Sequence, residues 1–221
     1  MTIRLALAGK AALAAVLFLA VSIPALSQPK SPAPQGNPTL PAPAPTPGAL
    51  AGEIPDWQAR LELARLLSYT GKFEESAVEY EKVLAARPDD PAVSAELARV
   101  LFWGGKREAA MARLAALPKE ALDAESGLLL ADLLAADGQY DKAGVIYRER
   151  LAKAPNDLKV RLKLAELLSW KKDYPASLAE YERIVSARPD DIQVRRKYAL
   201  VLSWAGRNED AIVQLKKTFP D

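Results

Sequence analysis

The sequence predicts an all-α fold, a solenoid of about five helix-turn-helix repeats behind a leader and a proline-rich spacer. Three observations carry that reading. First, a junction motif recurs as Arg87-Pro88-Asp89-Asp90, Ala154-Pro155-Asn156-Asp157 and Arg188-Pro189-Asp190-Asp191, with Pro155 and Pro189 separated by 34 residues. Pro88 and Pro155 lie 67 apart, one residue short of two such periods. Second, apolar residues inside a period follow helical spacing. In the first unit Leu63, Ala64 and Leu67 are followed by a break at Gly71, then by Phe73, Ala77, Tyr80, Val83 and Leu84. Two amphipathic helices joined by a tight turn give this pattern, with glycine taking the left-handed position after the first. Third, two positions in every unit hold only alanine or serine. A fixed period of this length is the signature of stacked repeats.

Residues 1–27 read as a secretory leader. Arg4 and Lys10 form a positive start, and from Ala11 to Leu26 every residue but Ser22 and Pro24 is apolar. Small residues at Ala25 and Ser27 place cleavage near Ser27/Gln28. The alternative is an uncleaved membrane anchor, for which the 16-residue stretch is short against the ~20 residues of a span. The leader predicts a periplasmic or secreted protein with no stable membrane span after cleavage. Residues 28–54 hold eight of the 17 prolines, no aromatic residue, and only Lys30 and Glu53 as charges. Such a stretch buries too little to offset chain entropy and reads as a disordered spacer with extended segments.

Residues 55–221 form the repeat domain, with units at about 57–90, 91–123, 124–157, 158–191 and 192–221. Numbering each unit from 1, position 8 is Ala64, Ala98, Ala131, Ala165 and Ala199. Position 20 is Ser76, Ala110, Ala143, Ser177 and Ala211. Position 7 is Leu63, Leu97, Leu130, Leu164 and Tyr198; position 11 is leucine throughout, from Leu67 to Leu202. Position 24 is Tyr80, Leu114, Tyr147, Tyr181 and Leu215, and position 32 is proline at Pro88, Pro155 and Pro189. This pattern resembles the tetratricopeptide repeat family over three quarters of the chain. The resemblance implies a right-handed α-solenoid whose first helices line a concave groove that holds protein or peptide partners.

The departures also predict structure. Unit two has Leu122 where proline is expected and Pro118 inside its second helix, which predicts a shortened or bent helix. Unit four has Lys172 at the turn glycine. In unit five the last helix is expected over 209–219, without the polar capping helix usual in the family. Its outer side then presents Ile212, Val213 and Phe219 as an open edge for a homodimer or another partner.

Family position also selects groove candidates. Position 13 is Tyr69, Trp103, Ala136, Trp170 and Trp204, an aromatic series suited to packing between units or to stacking on a ligand. Trp57, at position 1, reads as cover for the first end of the array. By the same positions Lys159, Lys163, Arg196 and Lys197 face or flank the groove. The motif from Leu202 to Arg207, L-S-W-x-G-R, resembles repeat regions of exopolysaccharide and outer-membrane export proteins. That likeness implies polysaccharide as an alternative partner, with the chain as an accessory component.

Composition narrows the chemistry. The chain has 221 residues with no cysteine and no histidine. Disulfides, thiol nucleophiles, the commonest general base and the commonest metal ligand are therefore absent. No phosphate loop or nucleophile elbow occurs. The paired acids at the junctions, such as Asp89-Asp90, suit helix capping better than acid–base work. We expect no enzyme activity, no metal and no cofactor. The formal charge of +2 comes from the leader, since Arg4 and Lys10 are its only charges and the remainder balances. A neutral body argues against nucleic acid as partner. The units carry −2, +1, −2, +1 and +3, so the charge grades toward a basic end.

Overall fold

A computed structural model describes residues 53–219; the leader and the proline-rich segment up to residue 52 lie outside the described residues. Among the described residues there are ten α-helices, one short 3-10 turn and no strand. Unit one is α1 (Asp56–Tyr69) and α2 (Phe73–Ala86); unit two is α3 (Pro91–Trp103) and α4 (Arg107–Ala116). Unit three is α5 (Ala124–Ala136) and α6 (Tyr140–Lys153), and unit four is α7 (Leu158–Trp170) and α8 (Tyr174–Ala187). Unit five is α9 (Ile192–Trp204) and α10 (Asn208–Lys216). Each helix packs on the helix before it and the helix after it. No described helix is long and apolar enough to cross a membrane.

The junction aspartates start the helices. Asp90, Asp123, Asp157 and Asp191 each accept a hydrogen bond from the backbone N–H three residues on, at 3.2, 2.7, 3.1 and 3.0 Å. These contacts satisfy N–H groups that a helix start leaves orphaned, worth roughly 1 kcal/mol each.

The turn inside each unit needs a left-handed residue. Gly71, Gly105, Gly138 and Gly206 supply it with φ between 77° and 80°, and Lys172 takes the same place in unit four with φ 64°. In both versions the next N–H closes the turn: Lys72 donates to the Leu67 carbonyl and Asp173 to that of Leu168, each at 2.9 Å. The left-handed conformation costs a side-chain-bearing residue about 1–2 kcal/mol, while glycine costs about 0.4–1 kcal/mol in unfolded-chain entropy. Lys172→Gly is therefore expected to stabilise the protein by roughly 0.5–1 kcal/mol, read as a rise of a few degrees in melting temperature. A lower melting temperature would refute this account of the turn.

The small residues let paired helices cross closely. Ala64, Ala98, Ala131 and Ala165 are wholly buried. Where position 20 is serine its hydroxyl bridges the crossing: Ser76 Oγ donates to the Ala64 carbonyl and Ser177 Oγ to that of Ala165, both at 2.7 Å.

Unit two is interrupted where the sequence places Pro118. Leu117, just before it, is extended with ψ 146°, as a residue preceding proline must be. The helix α4 stops after ten residues and a 3-10 turn, Lys119–Ala121, leads to unit three. The expectation of a single helix over 209–219 is corrected. The helix α10 ends at Lys216, and a tight turn follows in which Thr218 N–H donates to the Leu215 carbonyl at 2.8 Å. Phe219 precedes Pro220 and cannot continue the helix without a clash.

The core repeats with the units. Positions 21, 24 and 28 of one unit meet positions 3, 7 and 10 of the next. Ala77, Tyr80 and Leu84 share a cluster with Val93, Leu97 and Val100. Tyr147 and Leu151 share one with Val160, Leu164 and Leu167, and Leu178 and Tyr181 one with Val194, Tyr198 and Val201.

Candidate functional site

The first helices of successive units lie side by side, and their charged residues pair across the seams. Position 9 of one unit reaches position 6 of the next. Arg65 grips Glu96 with both ends of its guanidinium, Nε to Oε2 at 2.9 Å and Nη2 to Oε1 at 2.7 Å. Lys163 pairs with Asp132, and Lys197 with Glu166. Tyrosines at position 24 fasten the same acids from below: Tyr80 donates to Glu96 at 2.8 Å and Tyr147 to Asp132 at 2.6 Å. Burial, followed by the adjacent carboxylate, raises both phenol pKa values well above the ordinary one. The seam between units two and three differs. Its position 6 is Leu129, so Arg99 turns instead to Asp123 Oδ2 at 2.9 Å and Ser126 Oγ at 2.7 Å. Its Nε is buried without a hydrogen-bond partner.

The position-13 aromatics form a second feature, at the corner where each first helix ends. Trp103 sits against Phe73 of the preceding unit, with centroids 6.2 Å apart and planes at 46°. Trp170 meets Tyr140 in the same way, at 6.3 Å and 43°. In unit three the aromatic is missing, and so is its counterpart: Ala136 stands there, and the preceding unit has Arg107, whose guanidinium lies 5.8 Å from the Phe102 ring. Trp103 is half-buried, whereas Trp170 and Trp204 stay exposed, each showing part of an indole face. Tyr69, at the equivalent place in unit one, is half-buried.

A family model for the tetratricopeptide repeat matches residues 67–133 and 134–201. The chain belongs to the tetratricopeptide repeat family. Among solved structures, one of MamA aligns with a TM-score of 0.65 at 17% identity, covering 73% of this chain and 89% of that one. A second MamA structure gives 0.61 at 18% identity, over 76% of this chain and 94% of that one. YrrB, described as a tetratricopeptide repeat protein with an unusual peptide-binding site, gives 0.65 at 15% identity, over 74% and 84%. At these identities the likeness is one of fold. No curated protein sequence matches the chain.

On this tetratricopeptide frame, the cations picked out by family position separate into three kinds. Lys163 and Lys197 are spent in seam pairs. Arg196 is turned to its own unit, donating to the Thr218 carbonyl and hydroxyl at 3.3 Å each, with its guanidinium 5.7 Å from the Phe219 ring. Lys159 is exposed and has neither hydrogen bond nor ion pair among the described residues. The graded charge of the sequence is thus largely neutralised where the first helices meet. The acids Glu96, Asp132 and Glu166 complete these pairs, and sequence reading missed them. Their signal was present as opposite charges at positions 9 and 6 of consecutive units.

The edge residues also separate. Val213, at position 22, is exposed, but Val78 and Val145 at position 22 of units one and three are equally so. Position 22 faces solvent throughout, so Val213 is not a mark of the array's end. Ile212 is, because its equivalents Ala77 and Leu178 are buried by a following unit, and Phe219 stands exposed in the turn beyond α10. Trp57 lies at the first end with the Arg87 guanidinium 4.3 Å above its ring.

Proposed function

We propose that this protein is an exported adaptor that holds a protein or peptide segment on its first-helix face in a bacterial cell envelope. The observation that carries this is the set of aromatics Trp103, Trp170 and Trp204 beside a face whose seam charges are paired off. Such a face binds through apolar and aromatic contact more than through net charge, and it is built before the partner arrives. Partner binding then costs little ordering of the protein itself. The peptide site ascribed to YrrB supports the class of ligand. The leader supports export. N-terminal sequencing of the mature protein is expected to begin at Gln28, and an intact Met1 would refute cleavage. Residues 28–221 used as bait in envelope extract are expected to retain a protein partner in high salt, because apolar contact is not screened. The triple change Trp103→Ala, Trp170→Ala and Trp204→Ala is expected to lose that partner while keeping native helix content. Retention by the triple variant would overturn the reading.

The exposed indoles of Trp170 and Trp204 favour a second reading, stacking on sugar rings of an envelope polysaccharide. It predicts that soluble polysaccharide raises the melting temperature of the wild type but not of Trp170→Ala with Trp204→Ala.

A further inference from the structure

The two ends of the array are the two halves of the junction that the chain makes between its own units. Three of the four internal junctions set positions 21, 24 and 28 against positions 3, 7 and 10. Unit five presents the first half uncovered among the described residues, as Ile212 and half-buried Leu215, with exposed Phe219 in the turn beyond α10. Ile212 is 51% exposed, where Leu178 at the same position of unit four is 5% exposed. Unit one presents the second half. Leu63 at position 7 is 45% exposed against 3% for Leu164, and Leu66 at position 10 is 53% exposed against 1% for Leu167. Neither half is apolar by chance of surface composition; both continue the register of a buried seam.

We propose that the occupant of each end is a second copy of this chain, docked head to tail, with unit one of one molecule seated on unit five of the next. Complementarity of two kinds selects this over a symmetric pairing of like ends. The register matches, since positions 7 and 10 meet positions 21 and 28 only when unlike ends join. The charges match, since unit one carries −2 and unit five +3. A contact between unlike surfaces does not close on itself unless the rotation happens to, so it extends the array. Assembly of this kind is independent of what the first-helix face holds.

The test uses two single variants of the purified protein, Leu66→Glu on the first end and Ile212→Glu on the last. Both side chains are exposed, so circular dichroism of each should match the wild type. In sedimentation velocity the wild type is expected to grow with concentration beyond a dimer. Each variant alone is expected to stay monomeric. An equimolar mixture of the two is expected to form a dimer and nothing larger, because one sound end of each kind remains. A wild type that stays monomeric at high concentration would overturn the proposal. So would a Leu66→Glu variant that still dimerises, which would show like ends pairing, or a mixture that stays monomeric.

Discussion

Raising the pH from about 10 to about 12 is expected to unfold the protein. Four of its seven tyrosines, Tyr80, Tyr147, Tyr181 and Tyr198, are buried in the seams between units. Burial raises the pKa of each phenol, and a nearby carboxylate adds to it: Glu96, Asp132, Glu166 and Glu182 respectively. Tyr198 is pushed up to about 12, and the other three higher. An unfolded phenol titrates near 10. Below that value both states keep the proton and the contribution to stability is complete. Above it the unfolded chain releases protons that the folded chain retains, and stability falls by about 1.4 kcal/mol per pH unit for each group. Over two units four such groups sum to on the order of 10 kcal/mol, comparable to the whole stability of a domain. Tyrosinate absorbance from these four should therefore appear together with loss of helical circular dichroism. Full titration of all seven near pH 10 with helix retained would contradict it. Tyr181→Phe, which removes one titrating group whose hydroxyl makes no hydrogen bond among the described residues, should move the midpoint to higher pH.

Leu164→Ala is expected to cost about 2–5 kcal/mol, and Leu63→Ala under about 0.5 kcal/mol, although both occupy position 7. Leu164 sits in the cluster formed by Tyr147, Leu151, Val160 and Leu167. Its truncation leaves a cavity that packed neighbours cannot fill. Leu63 is exposed, with no unit over it among the described residues, and loses little on truncation. Denaturant unfolding of both variants in dilute solution decides the matter. Equal costs would show that position 7 acts within its own unit rather than between units, contrary to the nearest-neighbour view of repeat stability.

The repeat architecture was open to sequence reading because it rests on local rules. The glycines, the junction prolines and the capping aspartates each act within a few residues of themselves, and all landed where expected. Even the interruption of unit two followed from Pro118 alone. The binding face was less legible. Whether Lys163 is a free cation or a seam partner depends on Asp132, 31 residues away and on another helix. Family position placed it on the first-helix face but could not say that its charge is paired with Asp132. The edge residues were hard to sort for a related reason. Ile212 and Val213 are neighbours of similar hydropathy, and only the burial of Leu178 beside the exposure of Val145 tells them apart.

The alternating seam charges bear on a problem every repetitive chain faces in folding, that of counting. Units so alike could dock out of order, skipping or swapping a neighbour, and still bury leucine on leucine. Position 9 runs Arg65, Arg99, Asp132, Glu166, and position 6 of the units that should follow runs Glu96, Leu129, Lys163, Lys197. Were unit two to accept unit four or five, Arg99 would face Lys163 or Lys197. Were unit one to do so, Arg65 would meet the same lysines. Unit two arriving on unit three or four would set Glu96 against Asp132 or Glu166. Unit three, with Leu129 at position 6, meets no like charge on any unit, and unit five misplaced on unit three also escapes one. Individually such repulsions are small, but a wrong neighbour also forfeits the right one's hydrogen-bonded pair. The sign reversal between Arg65–Glu96 and Asp132–Lys163 thus acts as an address for units two, four and five, keeping unit two off units three and four, and units four and five off units one and two.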